Sequence, residues 1–203
     1  MVNLSDLQSS GAAPRLVQRK TKSRRRALAL HALSVGEGIL ALSPAPGAGG
    51  DYKEDLRLIR EWRPSIVITL TTRVEHVIMG IETLGSDIQG LGSRWFHLPI
   101  EDFQIPDDDT EDRWSQVSLL ARQALSGGGR VLVHCRGGCG RSGMATLRLM
   151  IEAGEDPKAA LVRLRQIRAC AVETDEQMDW ACSATPQTLH PPAAGSRSCP
   201  PTI

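Results

Sequence analysis

Residues 131–143 read VLVHCRGGCGRSG. A β-branched apolar run closes on His134-Cys135. Three glycines fall within the next five positions, and Arg141-Ser142 opens an apolar, helix-like stretch. A strand, a glycine turn and a helix start make an anion site. The first helical turn offers unpaired N–H groups, and the helix dipole is positive there. Gly137, Gly138 and Gly140 let the backbone curl so that those groups converge. The Lys-Ser/Thr ending of a nucleotide phosphate loop is absent, and a thiol stands at the mouth instead.

Helix N-termini and nearby cations favour the charged form of a cysteine. The stretch therefore predicts a reactive thiolate at Cys135, inside a cradle formed by Arg136, Gly137, Gly138, Cys139, Gly140 and Arg141. A thiolate so placed attacks a centre bearing charged oxygens, such as a phosphate ester. Arg141 can clamp two of those oxygens, and Ser142 can donate to the sulfur as it departs. The leaving oxygen needs a proton donor. Glu101 and Asp102 are candidate donors. The segment HLPIEDFQIPD follows a strand end, which a parallel sheet places on the same edge as the end of strand 131–135. The chemistry calls for no metal and no cofactor.

Outward from this loop, alternation and helical spacing give an α/β domain. ALALHALSV, GEG and ILALS (27–43) predict an N-terminal β-hairpin. Leu56, Ile59 and Trp62 mark a helix over 51–62, ended by Pro64. SIVITL (65–70) reads as a buried strand. One or two short helices occupy 74–90, broken at Gly80 and Gly85, before a strand at 94–100. Trp114, Val117, Ala121, Ala124 and Leu125 form a stripe on a helix over 110–125, and residues 141–153 form a second helix. Asp156-Pro157 opens a third, with Leu161, Leu164 and Ile167 inward, and a last helix covers 174–183. The expectation is a single domain with a parallel-rich central sheet flanked by helices.

These residues resemble a known family. HCRGGCGRSG fits the Cys-x5-Arg signature of the protein tyrosine and dual-specificity phosphatases, and PIEDFQIPD resembles their general-acid loop. The likeness covers about residues 27–183 and is closest to the kinase-associated phosphatase subgroup. It runs through SPAPG, Thr72-Arg73-Val74-Glu75, Pro99-Ile100-Glu101-Asp102, the loop 134–142 and Thr174-Asp175-Glu176-Gln177. The resemblance implies Cys135 as nucleophile, Arg141 as phosphate clamp, Asp102 as general acid, with Asp107 and Glu101 as rivals, and Ser142 as the assisting hydroxyl. It implies a loop brace at His134 and a water- or loop-positioning role for Gln177. It also implies a phosphocysteine intermediate and a phosphorylated protein substrate. Cys139 departs from the subgroup's apolar residue, and no kinase partner is carried over.

The chain has 203 residues, 41% hydrophobic, with net charge +1, so its overall charge points to neither nucleic acid nor membrane. Seven basic residues and no acid lie between Arg15 and Arg26, in an arm (1–26) expected to be disordered and suited to an acidic partner. A Pro/Ser-rich tail (185–203) is expected to be disordered as well. Five cysteines at 135, 139, 170, 182 and 199 lack framework spacing, which predicts free thiols and a reducing, cytoplasmic compartment. Cys139 is then a candidate disulfide partner for Cys135. No apolar run reaches membrane-spanning length. His31, His76 and His97 are isolated in sequence and receive no role. Phosphoinositide or RNA 5′-phosphate hydrolysis on the same scaffold, a phosphoprotein-binding module and a redox protein with a cysteine anion loop are the alternatives.

Overall fold

A computed structural model describes residues 27–186; the basic arm and most of the Pro/Ser-rich tail lie outside the described residues. Five strands are ordered β1-β2-β5-β3-β4. β1 (His31–Val35) and β2 (Gly38–Ser43) form the expected antiparallel hairpin, and the β2/β5, β5/β3 and β3/β4 pairs are all parallel. β3 (Ile66–Thr69) is buried throughout, and β5 (Arg130–His134) is buried from Val131 onward, which explains their unbroken apolar sequence. β4 (Arg94–His97) is a half-exposed edge strand, shorter than the apolar run that announced it.

Register brings the strand ends together. Ser43 and Thr69 both pair with His134, and Thr69 also pairs with His97. The segments after β2, β3, β4 and β5 therefore gather at one edge of the sheet, where ligands bind in open parallel sheets.

Helices α1 (Tyr52–Trp62), α2 (Arg73–Met79), α3 (Leu84–Gly90), α4 (Asp108–Ser126), α5 (Gly140–Glu152), α6 (Pro157–Ile167) and α7 (Asp175–Cys182) complete the domain. Asp51, Thr72, Asp107, Asp156 and Thr174 cap their helices with side-chain oxygens. Gly80 ends α2 as expected, in a left-handed C-cap. Gly85 does not break a helix: it lies inside α3 because the Trp95 ring packs so close that an added Cβ would sit 2.5 Å from it. Two cores flank the sheet. One holds Leu40, Ile68, Val133, Trp114 and Met150; the other holds Val67, Leu132, Ile59 and Ile88.

One polar network inside the first core was not legible in advance. Glu152 is fully buried, accepts from Trp114 Nε1 at 2.9 Å and pairs with Arg148 at 3.1 Å and Arg122 at 3.5 Å. Arg148 also reaches Glu111 and packs over the Trp180 ring. The cluster joins α4, α5 and α7, and the removal of one partner would strand a buried charge.

The prediction that all five cysteines are free is corrected. Cys139 and Cys170 form a disulfide, while Cys135 and Cys182 are free thiols. Cys139 is therefore taken and is not the partner of Cys135. The argument from unpaired thiols to a reducing compartment loses its premise. No described helix is long and apolar enough to cross a membrane.

Candidate active site

Cys135 leaves the end of β5 and stands beneath the turn that leads into α5, 3% exposed. Its sulfur accepts from Gly138 N at 3.2 Å and lies 3.3 Å from Ser142 Oγ. Gly138 makes the turn possible. Its φ is +70°, and an added Cβ would meet Ser43 and Pro44 backbone at 2.5–2.6 Å.

The loop's carbonyls all find partners away from the thiol. Arg136 O accepts from Ala45 N, and Gly137 O and Gly138 O accept from Arg168 at 2.9 and 2.8 Å. Cys139 O accepts from Gly143 N at 2.8 Å. Turning the carbonyls outward directs the N–H groups inward, which is the arrangement that binds an oxyanion. Arg168 was missed from sequence, since nothing near it marks a contact with a loop 30 residues earlier.

Arg141 is 1% exposed yet carries a full set of anionic partners. Its two terminal nitrogens donate to Glu75 Oε2 and Oε1 at 2.7 and 2.8 Å. Nη1 also donates to Ile100 O, and Nη2 lies 3.0 Å from Asp102 Oδ1. Burial works against the charge, but Glu75, the Cys135 sulfur and Asp102 outweigh it and hold the guanidinium above its ordinary range. Burial likewise opposes ionisation of Glu75, yet the bonds from Arg141 and Thr72 keep its carboxyl below the usual range. Nε of Arg141 is buried with no hydrogen-bond partner among the described residues, an open donor in a site built for an anion. Glu75 carried no role in the sequence reading; the Thr-Arg-Val-Glu segment was the signal that could have found it.

The acid loop separates its candidates. Asp102 lines a mouth of about 280 Å³ together with Cys135, Phe103, Arg136 and Glu173, and its side chain is 52% exposed. Glu101 faces a neighbouring groove with Thr72 and Trp95 instead. Asp107 is spent on capping α4, accepting from Thr110 N at 2.9 Å. Phe103 takes a left-handed φ of 62°, a conformation that a non-glycine residue adopts at a cost, directly beside Asp102. Gln177 is fully buried, accepts from Glu173 N and reaches Gln104 O at 3.4 Å, so it joins the rim to the acid loop. The Cys139 side chain turns toward Cys170.

His134 sits fully buried under the site, its Nε2 2.7 Å from Thr69 Oγ1, which also accepts from Trp95 Nε1. Burial pushes its pKa down to about 3, so it is neutral near pH 7. His76 and His97 are not isolated: their rings stack at 5.1 Å, and Trp95 stacks on His97 at 5.4 Å. Burial lowers both. All three take up protons more readily once unfolded, so they add stability above the unfolded histidine pKa that is lost as pH falls below it. For His134 the loss runs to about 1.4 kcal/mol per pH unit between about 6.5 and 3. The urea midpoint should therefore drop from pH 7 to pH 5, and drop less in His134→Gln. An equal drop in both proteins would contradict a neutral, buried His134.

Residues 53–194 match the family model described as Swiss Army Knife protein, DSP-PTPase phosphatase domain. A kinase associated phosphatase with its catalytic cysteine replaced by serine superposes with TM-score 0.68 at 21% identity, over 77% of this chain and 93% of that one. Tk-PTP in its active form gives TM-score 0.58 at 26% identity, over 71% and 89%. PTPMT1 in complex with PI(5)P gives 0.57 at 19%, over 75% and 92%. No curated protein matches the chain. With the family model spanning more than half of its length, the chain belongs to the DSP-PTPase family of cysteine-based phosphatase domains.

Proposed function

We propose that this phosphatase hydrolyses phosphomonoesters on proteins, phosphotyrosine foremost and phosphoserine or phosphothreonine as well, through a phosphocysteine at Cys135. The observation that carries the reading is the sulfur of Cys135, held between Gly138 N and Ser142 Oγ beside a buried Arg141 with an open Nε. A phosphate entering the cradle accepts from the loop N–H groups and from Arg141, and takes the place of Asp102 on Nη2. Asp102 is then free to face the ester oxygen. Cys135 attacks phosphorus, the ester P–O bond breaks, and Asp102 gives its proton to the leaving oxygen. In the second step Asp102 takes a proton from water, the oxygen attacks phosphorus, and the P–S bond breaks while Ser142 donates to the departing thiolate. Glu75 holds the far side of Arg141 throughout.

The rim favours a protein substrate. It carries Phe103, 56% exposed, against which an aromatic ring can pack, and two carboxylates, Asp102 and Glu173, against the single cation Arg136. That is a poor surface for an inositol bearing several phosphates. A phosphotyrosine peptide, a phosphothreonine peptide, PI(5)P and an RNA 5′-phosphate, each assayed in EDTA, should rank in that order by kcat/KM. A preference of tenfold or more for PI(5)P or RNA would overturn the protein reading.

Asp102→Asn should lower kcat on phosphotyrosine by about 10²-fold and less on p-nitrophenyl phosphate, whose leaving group needs little protonation. The alkaline limb of the kcat–pH profile should vanish with it. Unchanged kcat in Asp102→Asn with collapse in Glu101→Gln would move the acid to Glu101.

A further inference from the structure

The phosphate loop is held from behind by the turn between α6 and α7, and part of that hold is covalent. The Cys139–Cys170 disulfide closes a separation of 31 residues and ties the residue before α5 to this turn. Two residues earlier, Arg168 donates to Gly137 O and Gly138 O, and its Nη2 lies 3.1 Å from Cys139 Sγ. Val172 N reaches Cys139 O at 3.4 Å. The same segment then supplies Glu173 to the rim and leads to Gln177 behind it. One short stretch thus sets the outward carbonyls of the loop and also builds the edge of the mouth.

Converging N–H dipoles repel one another when no anion is bound. A cradle that keeps this shape while empty needs restraint from outside itself, and preformed shape raises affinity for the ligand. The bridge supplies that restraint at the loop's crest. Cys170 is exposed, so the bridge is open to exchange, while Cys135 is buried and unbridged.

We propose that the Cys139–Cys170 disulfide is a positioning element of the phosphate site: bridged, the loop holds its anion-binding shape without an anion, and opened, it binds phosphate and substrate more weakly. The chemistry balances by exchange with a small-molecule disulfide such as oxidised glutathione. One cysteine thiolate attacks it and releases one glutathione thiolate. The other cysteine attacks the mixed disulfide and releases the second. The cysteine pair loses two electrons and the small disulfide gains them. Only the turnover readout of this proposal rests on the phosphatase reading; the binding readout does not.

The test compares wild-type protein treated with oxidised glutathione, with inorganic phosphate protecting Cys135 and then removed, against Cys170→Ser and Cys139→Ser/Cys170→Ser. The dissociation constant for inorganic phosphate, KM and kcat on p-nitrophenyl phosphate, the pH profile of Cys135 alkylation and Tm are measured well below melting. The expected result is a roughly tenfold rise in phosphate dissociation constant and KM in both variants, with a smaller change in kcat. Cys135 alkylation should shift to higher pH in both, and wild type reduced with dithiothreitol should join them. A lower Tm with unchanged phosphate affinity, KM and alkylation profile would make the bridge a structural staple only and overturn the proposal. Alkylation of both Cys139 and Cys170 in the glutathione-treated wild type would overturn it as well. If phosphate affinity follows the bridge but no substrate turns over, the phosphatase reading fails and this proposal stands.

Discussion

Cys135→Ser should remove turnover, lowering kcat by on the order of 10⁴-fold or more while the fold and phosphate binding persist. The two side chains are nearly isosteric, and the sulfur's neighbours, Gly138 N and Ser142 Oγ, can serve an oxygen equally well. What changes is the nucleophile. A serine hydroxyl stays protonated at neutral pH, and neither hydrogen-bonding neighbour of the sulfur, Gly138 N or Ser142 Oγ, is a base that could take its proton. His134 points to Thr69 instead, and burial keeps it neutral. The cradle and Arg141 are untouched, so inorganic phosphate should still raise Tm in the variant. Loss of activity together with loss of phosphate protection would show that the substitution had damaged the site rather than the chemistry. Retention of a tenth or more of the wild-type rate would remove Cys135 from the reaction.

Arg141→Lys should lower kcat/KM by about 10³-fold even though the charge is kept. The guanidinium makes four contacts in different directions, two to Glu75 and one each to Ile100 O and Asp102, and leaves Nε open. A single ammonium cannot span both Glu75 oxygens and two phosphate oxygens. Arg141 is 1% exposed and Glu75 is half-buried, so the substitution also leaves hydrogen-bonding capacity unmet and should lower Tm by several degrees. Kinetics at a temperature where both proteins are folded separates the two effects. A loss confined to KM would mean that Arg141 contributes only ground-state binding, and a change under tenfold would contradict its place as the clamp.

How much of this could be read in advance follows sequence distance. The proposed nucleophile, the glycine turn, the proposed clamp and the hydroxyl beside the sulfur lie within residues 135–142, so strand, turn and helix start pointed to them together. The hairpin, the buried β3 and β5 and the capped helices were legible because alternation, apolar runs and Asp-Pro are local signals. Topology brought Glu101 and Asp102 toward the cradle, since parallel strands end on one edge, and the family resemblance selected Asp102. Glu75, 66 residues from Arg141, and Arg168, 30 residues from Gly138, act through long-range contacts that no local pattern reports. Gly85 misled because its role is close packing against Trp95 rather than a break. The free-thiol expectation failed on Cys139 because spacing along the chain does not reveal which cysteines a fold brings together. The buried Arg122–Glu152 pair was hidden for the same reason, as charged residues in a helix read as a solvated face until their partner is known.

A covalent phosphocysteine would be caught by an acid quench of wild-type protein turning over a ³²P-labelled phosphotyrosine peptide in EDTA. Label should be retained on the protein and map to the peptide containing Cys135, with more retained when Ser142→Ala slows breakdown and none in Cys135→Ser. Steady turnover with no label trapped in any of these proteins would contradict it, and would point to direct attack of water on the phosphate.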